Sequence, residues 1–146
     1  MNDYRPQLAK LCNQGRIQEM KQYPQHGSVS TYAHVVRVAT TALNWSRALR
    51  LHTSEDELLR GAMLHDYYLY DWHDPVNKGH ATQHPLRALK NAEEDFDLTN
   101  KERNIIAAHM WPLPPNRLPK SREAWLVCFA DKWCSLLETL FMRGKK

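Results

Sequence analysis

Three histidines and two aspartates in this sequence sit where a solvated residue would not. His34 falls on the same helical side as Val38, Ala42 and Trp45. His65 follows Leu58 by seven and Ala62 by three, and Asp66 follows Ala62 by four. His109 follows Ile105 by four and Ile106 by three. Asp131 ends the nearly unbroken apolar run that starts at Trp125. Each has an ordinary explanation taken alone. A histidine on an apolar face can be a core residue satisfied by a carbonyl, and Asp131 could pair with a buried arginine or with Lys132. The set is harder to dismiss. A carboxylate in an apolar run needs a partner or a metal, because an unpaired buried charge is very costly. Imidazole with carboxylate suits Zn, Fe, Mn or Ni and is too rich in nitrogen for Ca or Mg alone.

The elements that must carry these residues read as helices. No period-2 apolar alternation of strand length occurs, nor any Asn-Gly or Asp-Gly hairpin signal. Residues 5–22 hold one or two short helices broken near Gly15. A long helix is predicted from about Thr31 to Leu51, capped by Ser30. Ser54 and Glu57 form a predicted capping box for a helix that ends near His65-Asp66. An aromatic segment follows, with Tyr67, Tyr68, Tyr70 and Trp72. Pro85 suits the first turn of a helix reaching about Asp95, which leaves His84 just ahead of it. Thr99 and Glu102 predict a second capping box, for a helix ending near Met110. The Trp111-Pro112-Leu113-Pro114-Pro115 stretch forms a loop, and a last helix runs from Ser121 to about Phe141. No repeat or linker interrupts the 146 residues, so one all-α domain, a helical bundle, is expected over 1–146.

The ordered set His34, His65-Asp66, His84, His109 and Asp131 resembles the HD-domain superfamily of metal-dependent phosphohydrolases. The resemblance covers about residues 26–135, including the approach to His34. It implies that His34, His65, Asp66 and Asp131 hold one metal ion and that His84 and His109 join Asp66 in holding a second. Asp66 and His65 would then be catalytic, with Asp66 as the bridge. The implied cofactor is one or two divalent transition metal ions, Fe, Mn, Zn, Co or Ni. The implied reaction is hydrolysis of a phosphate ester, nucleotides included, by a metal-activated hydroxide. The same ligands serve di-iron HD-fold oxygenases, and an HD fold can also act as a non-catalytic metal-binding or ligand-binding module. His80, four before His84, is a substrate or supporting residue on this reading. His26, His52 and His73 are read as surface or loop residues.

The sequence departs from some branches of the superfamily. Tyr67-Tyr68-Leu69-Tyr70 stands where the cyclic-di-nucleotide phosphodiesterases carry Ile-Gly-Lys, and the chain is short beside the dNTP triphosphohydrolases. Lys78, Arg87 and Lys132 are the candidate substrate-binding cations, with Arg37 close to His34. Tyr67, Tyr68, Tyr70, Trp72 and Trp111 could either wall a pocket or pack the core.

Charge narrows the partner. Residues 1–50 carry net +5, residues 51–100 net −6 and residues 101–146 net +5. That pattern has no uniform basic stripe to follow a phosphate backbone, so a small phosphorylated molecule is expected over nucleic acid. No apolar run reaches the roughly 18 residues a membrane helix needs. The N-terminus has no apolar signal segment, and Cys12, Cys128 and Cys134 are too few for a disulfide framework. A cytoplasmic protein with reduced core thiols is expected. The final Arg143-Gly144-Lys145-Lys146 reads as a solvated basic tail.

Overall fold

The computed structural model describes residues 3–142. The basic tail expected at 143–146 lies outside them. The chain forms α1 (Arg5–Cys12), a 3-10 turn (Ile17–Gln22), a small hairpin of β1 (Pro24–His26) and β2 (Val29–Ser30), then α2 (Thr31–Ala48) and α3 (Glu55–Leu64). After an irregular aromatic segment come α4 (His80–Asp95), α5 (Asn100–Ala108) and α6 (Arg122–Leu137). A single π-type turn, Glu138–Met142, extends α6. The protein is therefore mostly α-helical, as the sequence indicates. No helix among the described residues is long and apolar enough to cross a membrane.

Side-chain oxygens start the helices. Ser30, Ser54, Thr99 and Ser121 each accept a backbone N–H from the first turn of the helix that follows. Thr99 and Glu102 form the full reciprocal box. Ser54 forms only half of one. Its own N–H is taken by Glu123 Oε2 from α6 at 2.9 Å, so a distant helix replaces Glu57. Four other expectations change. Pro85 lies inside α4, which begins five residues earlier at His80 after Gly79 in the left-handed region (φ 76°). Pro85, the sixth residue of the helix, gives up the bond an N–H there would make to Ala81 O, and His84 sits on the helix rather than ahead of it. The 24–30 hairpin is too short to have shown as alternation. The long helix stops at Ala48, and the last helix runs as α-helix only to Leu137 before its π-type turn carries it to Met142.

α2 packs on α3 and α6, and α5 packs on α3, α4 and α6. Leu43, Leu58, Met63, Ile105 and Val127 lie in the buried cluster among them. Gly61 permits a close approach of α3 to α5. A Cβ there would lie 2.6 Å from Ile105 Cδ1, so any side chain would push α3 off α5. The contact matters because the two helices end side by side, one at His65 and the other at His109. Cys12, Cys128 and Cys134 are buried free thiols.

Candidate metal centre

His65 and His109 are the C-cap residues of α3 and α5. The last carbonyls of a helix lack intrahelical partners. Each of these histidines fills one such gap with its own ring. His65 Nδ1 reaches Ala62 O at 2.5 Å, and His109 Nδ1 reaches Ile106 O at 2.8 Å. His84, in the second turn of α4, bonds His80 O through Nδ1 at 2.8 Å. His34, one turn into α2, bonds Glu138 Oε1 through Nδ1 at 2.8 Å. Every one of these partners is an acceptor, so Nδ1 carries a proton in each ring, and in the neutral form the lone pair lies on Nε2. Four Nε2 atoms are thus aimed inward. A ligating histidine is oriented in this way, by a carbonyl or carboxylate on its far nitrogen.

The four converge on Asp66 from two sides. Asp66 Oδ2 lies 3.4 Å from His34 Nε2 and 3.3 Å from His65 Nε2. Asp66 Oδ1 lies 3.3 Å from both His84 Nε2 and His109 Nε2. Asp131 Oδ1, from α6, closes the first side at 2.8 Å from His34 Nε2 and 3.3 Å from His65 Nε2. Among the described residues, Asp131 pairs with neither an arginine nor Lys132. All six residues are buried. Two groups of potential ligand atoms result, His34-His65-Asp66-Asp131 and Asp66-His84-His109, with Asp66 common to both. His84 belongs to them and His80 does not.

Two features are those of a cation site. Asp66 Oδ1 is buried with no hydrogen-bond partner among the described residues. Leaving a buried acceptor unpaired costs about 1–3 kcal/mol, more when charged. His84 Nε2 and His109 Nε2 face each other at 2.8 Å, and both rings already carry their proton on Nδ1. Two lone pairs at that distance repel unless something positive lies beside them. The donor set, four imidazoles and two carboxylates, fits a divalent transition ion on each side.

Gln25, Glu138 and His26 are parts of the site that sequence reasoning missed. Gln25 Nε2 donates to Asp66 Oδ2 at 2.9 Å, and its Oε1 accepts from Tyr68 O–H at 2.5 Å. Glu138 is fully buried and holds His34. It lies seven residues after Asp131, two helical turns along one face, which was the available signal. His26, expected at the surface, is half-buried on β1, 4.0 Å from Glu138. His52 and His73 are exposed.

The centre forms the floor of a cavity of about 460 Å³. Trp72, Met110, Pro112 and Leu113 give it an apolar wall, and His80 and Lys132 also line it. Lys132 Nζ is steadied by His109 O at 3.3 Å. Arg87 and Lys78 lie off the cavity. Arg87 donates to Tyr70 Oη, Lys78 O and Gln83 Oε1, and the Lys78 side chain is exposed. Arg37 reaches toward Glu138 at 3.7 Å. Tyr67 and Tyr68 are core, and Trp111 packs on Trp125.

A family model for the HD domain matches residues 31–135. The chain belongs to the HD-domain family. HD-domain proteins are in general metal-dependent hydrolases, and the buried His/Asp groups of this one could hold metal ions. No curated protein and no solved structure matches the chain.

Without metal, protons neutralise the HD centre. Burial opposes a charge on His34, but hydrogen bonds to Asp131 and Glu138 outweigh it and lift His34 to about 9. Burial likewise opposes a charge on His65, and the Asp66 and Asp131 carboxylates carry it well above the usual imidazole range. Burial would raise Asp66 and Asp131, yet the facing histidines hold both well below the usual carboxylate range. Burial pushes His109 down. A stability prediction follows for the chelator-treated protein. Below about pH 6.5, where unfolded histidine is also protonated, the His34 contribution is complete. Between there and about 9 the folded chain keeps a proton that the unfolded chain has lost, so stability falls as pH rises. A shift of this size corresponds to on the order of 3 kcal/mol. Thermal melts at pH 6, 7.5 and 9 should show a falling Tm. A metal-loaded sample should lack the fall, because bound histidines are neutral. A flat profile in the stripped protein would contradict the assignment.

Proposed function

We propose that this protein is a metal-dependent phosphohydrolase that acts on a small phosphate ester, nucleotides included. The observation that carries the reading is the division of one carboxylate. Asp66 turns one oxygen to His34 and His65 and the other to His84 and His109, on the floor of a cavity large enough for a small molecule. His34, His65, Asp66 and Asp131 would hold one ion, and Asp66, His84 and His109 a second. Such a pair of ions supplies Lewis acidity to the phosphoryl oxygens and acidifies water at neutral pH.

The remaining work falls to the chain. Gln25 fixes the Asp66 carboxylate in the plane that serves both sides. Glu138, the two helix-end carbonyls and, for His84, the carbonyl of His80 keep each imidazole in its ligating tautomer. Lys132 brings a positive charge to the cavity rim, where phosphoryl oxygens would be exposed. The apolar wall formed by Trp72, Met110 and Leu113 keeps water from the organic part of the ester and strengthens charge interactions beneath it. Three buried free thiols accord with a reducing, cytoplasmic setting.

The test starts from chelator-stripped protein reloaded separately with Mn, Fe, Co, Ni, Zn and Mg. Each form is incubated with phosphomonoesters, phosphodiesters and nucleotides, and released phosphate or alcohol is measured. Turnover is expected only with metal, with about two equivalents bound per chain. Silence across the whole panel would overturn the proposal. Oxygen uptake by the iron form with an organic substrate would replace it by the oxygenase chemistry that the same ligands allow.

A further inference from the structure

His80 and His84 lie one helical turn apart on α4, and their rings stack at 4.3 Å and 12°. Their hydrogen bonds nevertheless give them opposite tautomers. His84 donates through Nδ1 to a carbonyl, which bares Nε2 for a ligand role. The Nδ1 of His80 faces the Tyr70 hydroxyl at 2.8 Å. That hydroxyl also meets Arg87 Nη1 at 3.0 Å. A guanidinium can only donate, so the Tyr70 oxygen accepts from Arg87. The one phenolic proton then needs an acceptor, and among the described residues His80 Nδ1 is the one within reach. The order is Arg87 to Tyr70 to His80. His80 accepts on Nδ1 and therefore carries its proton on Nε2, as a neutral donor.

The ring is also fixed in direction. Trp72 covers its other face at 5.2 Å and 17°. Packed between Trp72 and His84, His80 cannot swivel without unstacking both neighbours. It lines the cavity, and with Nδ1 engaged by Tyr70, Nε2 is the ring nitrogen without a partner among the described residues. Lys132 also lines the cavity as a donor, but its Nζ is held partly by His109 O and Cys128 Sγ.

We propose that His80 is the neutral hydrogen-bond donor that binds an oxygen of the substrate's phosphoryl group beside the metal centre, held in its donating tautomer by Tyr70 and Arg87. The proposal rests on the phosphohydrolase reading for the identity of the oxyanion. His80 would touch substrate, whereas Tyr70 and Arg87 are positioning residues. A neutral donor backed by an apolar wall selects a compact ester with one phosphoryl group. A triphosphate would bring further charges into a cavity where, among the described residues, Lys132 is the single lysine or arginine of the lining.

Inorganic phosphate titrated into metal-loaded protein, without turnover, tests the contact. His80→Ala should weaken phosphate binding about tenfold and Tyr70→Phe about threefold, the scale of one hydrogen bond lost or loosened. His80→Gln, which restores an N–H, should recover most of the loss. Metal content should stay at the wild-type value in all three. Long-range proton–nitrogen NMR supplies a readout that mere packing would not move. His80 should be the Nε2–H form in the wild type and a mixture in Tyr70→Phe, while His84 stays Nδ1–H. Wild-type binding that His80→Ala leaves unchanged would overturn the contact alone. A His80 proton found on Nδ1 would overturn the relay and the donor with it. If metal-loaded wild-type protein fails to bind phosphate, the contact and the phosphohydrolase reading fall together.

Discussion

Asp66→Ala should abolish activity, lowering turnover by at least about a thousandfold, and should reduce bound metal to below one equivalent per chain. Both groups of potential ligands share this carboxylate, so a single substitution removes a donor from each. It also removes the negative charge that balances His34 and His65 in the metal-free state. The helices should survive, because Asp66 lies beyond the end of α3 and takes no part in packing α2, α3 and α5 together. Elemental analysis, a far-UV spectrum and a turnover assay on one preparation check all three statements. Two retained equivalents would show that Asp66 is not the bridge. Loss of the helical spectrum would make its role structural instead.

The second large effect separates the two sides. His109 bears on one oxygen of Asp66 and meets His84 across 2.8 Å, with no contact to Asp131. His109→Gln, chosen to keep most of the buried volume, should lose about one metal equivalent and retain the other, with turnover down by about a hundredfold or more. His34→Gln should strike the opposite side, since His34 pairs with Asp131 and Asp66 Oδ2. Full metal content and full activity in His109→Gln would leave the site with a single ion.

The legible parts of the sequence were those where a residue conflicted with its surroundings. Asp131 stood out because a carboxylate inside an apolar run demands an explanation, and its explanation is His34 and His65. Ser30 and Thr99 announced helix starts because an oxygen there satisfies donors that nothing else reaches. Other features hid in ordinary chemistry. Gln25 is uncharged and sits in a three-residue strand, so neither type nor period marked it. Glu138 follows the run that drew attention to Asp131, and its burial depends on how α6 meets α2, a tertiary fact. Pro85 misled by its usual preference for a first helical turn, while the left-handed Gly79 let the helix begin earlier. Arg87 is basic and near His84 in sequence, which marks it as a candidate substrate contact, yet its side chain is spent on Tyr70, Lys78 O and Gln83.

Gln25 and Glu138 both lie outside the stretch that the family model covers, residues 31–135. A fragment trimmed to that stretch would keep all six inward-facing donors and lose the two residues that grip Asp66 and His34 from behind. Losing such an outer partner typically costs a metal site ten- to a hundredfold in affinity, on the order of a kcal/mol or two for each. The smallest piece that carries this centre whole therefore runs from the first strand of the hairpin to the turn beyond α6. Domain boundaries drawn from shared sequence mark where the ligands are, and here the scaffold that aims them reaches past both ends.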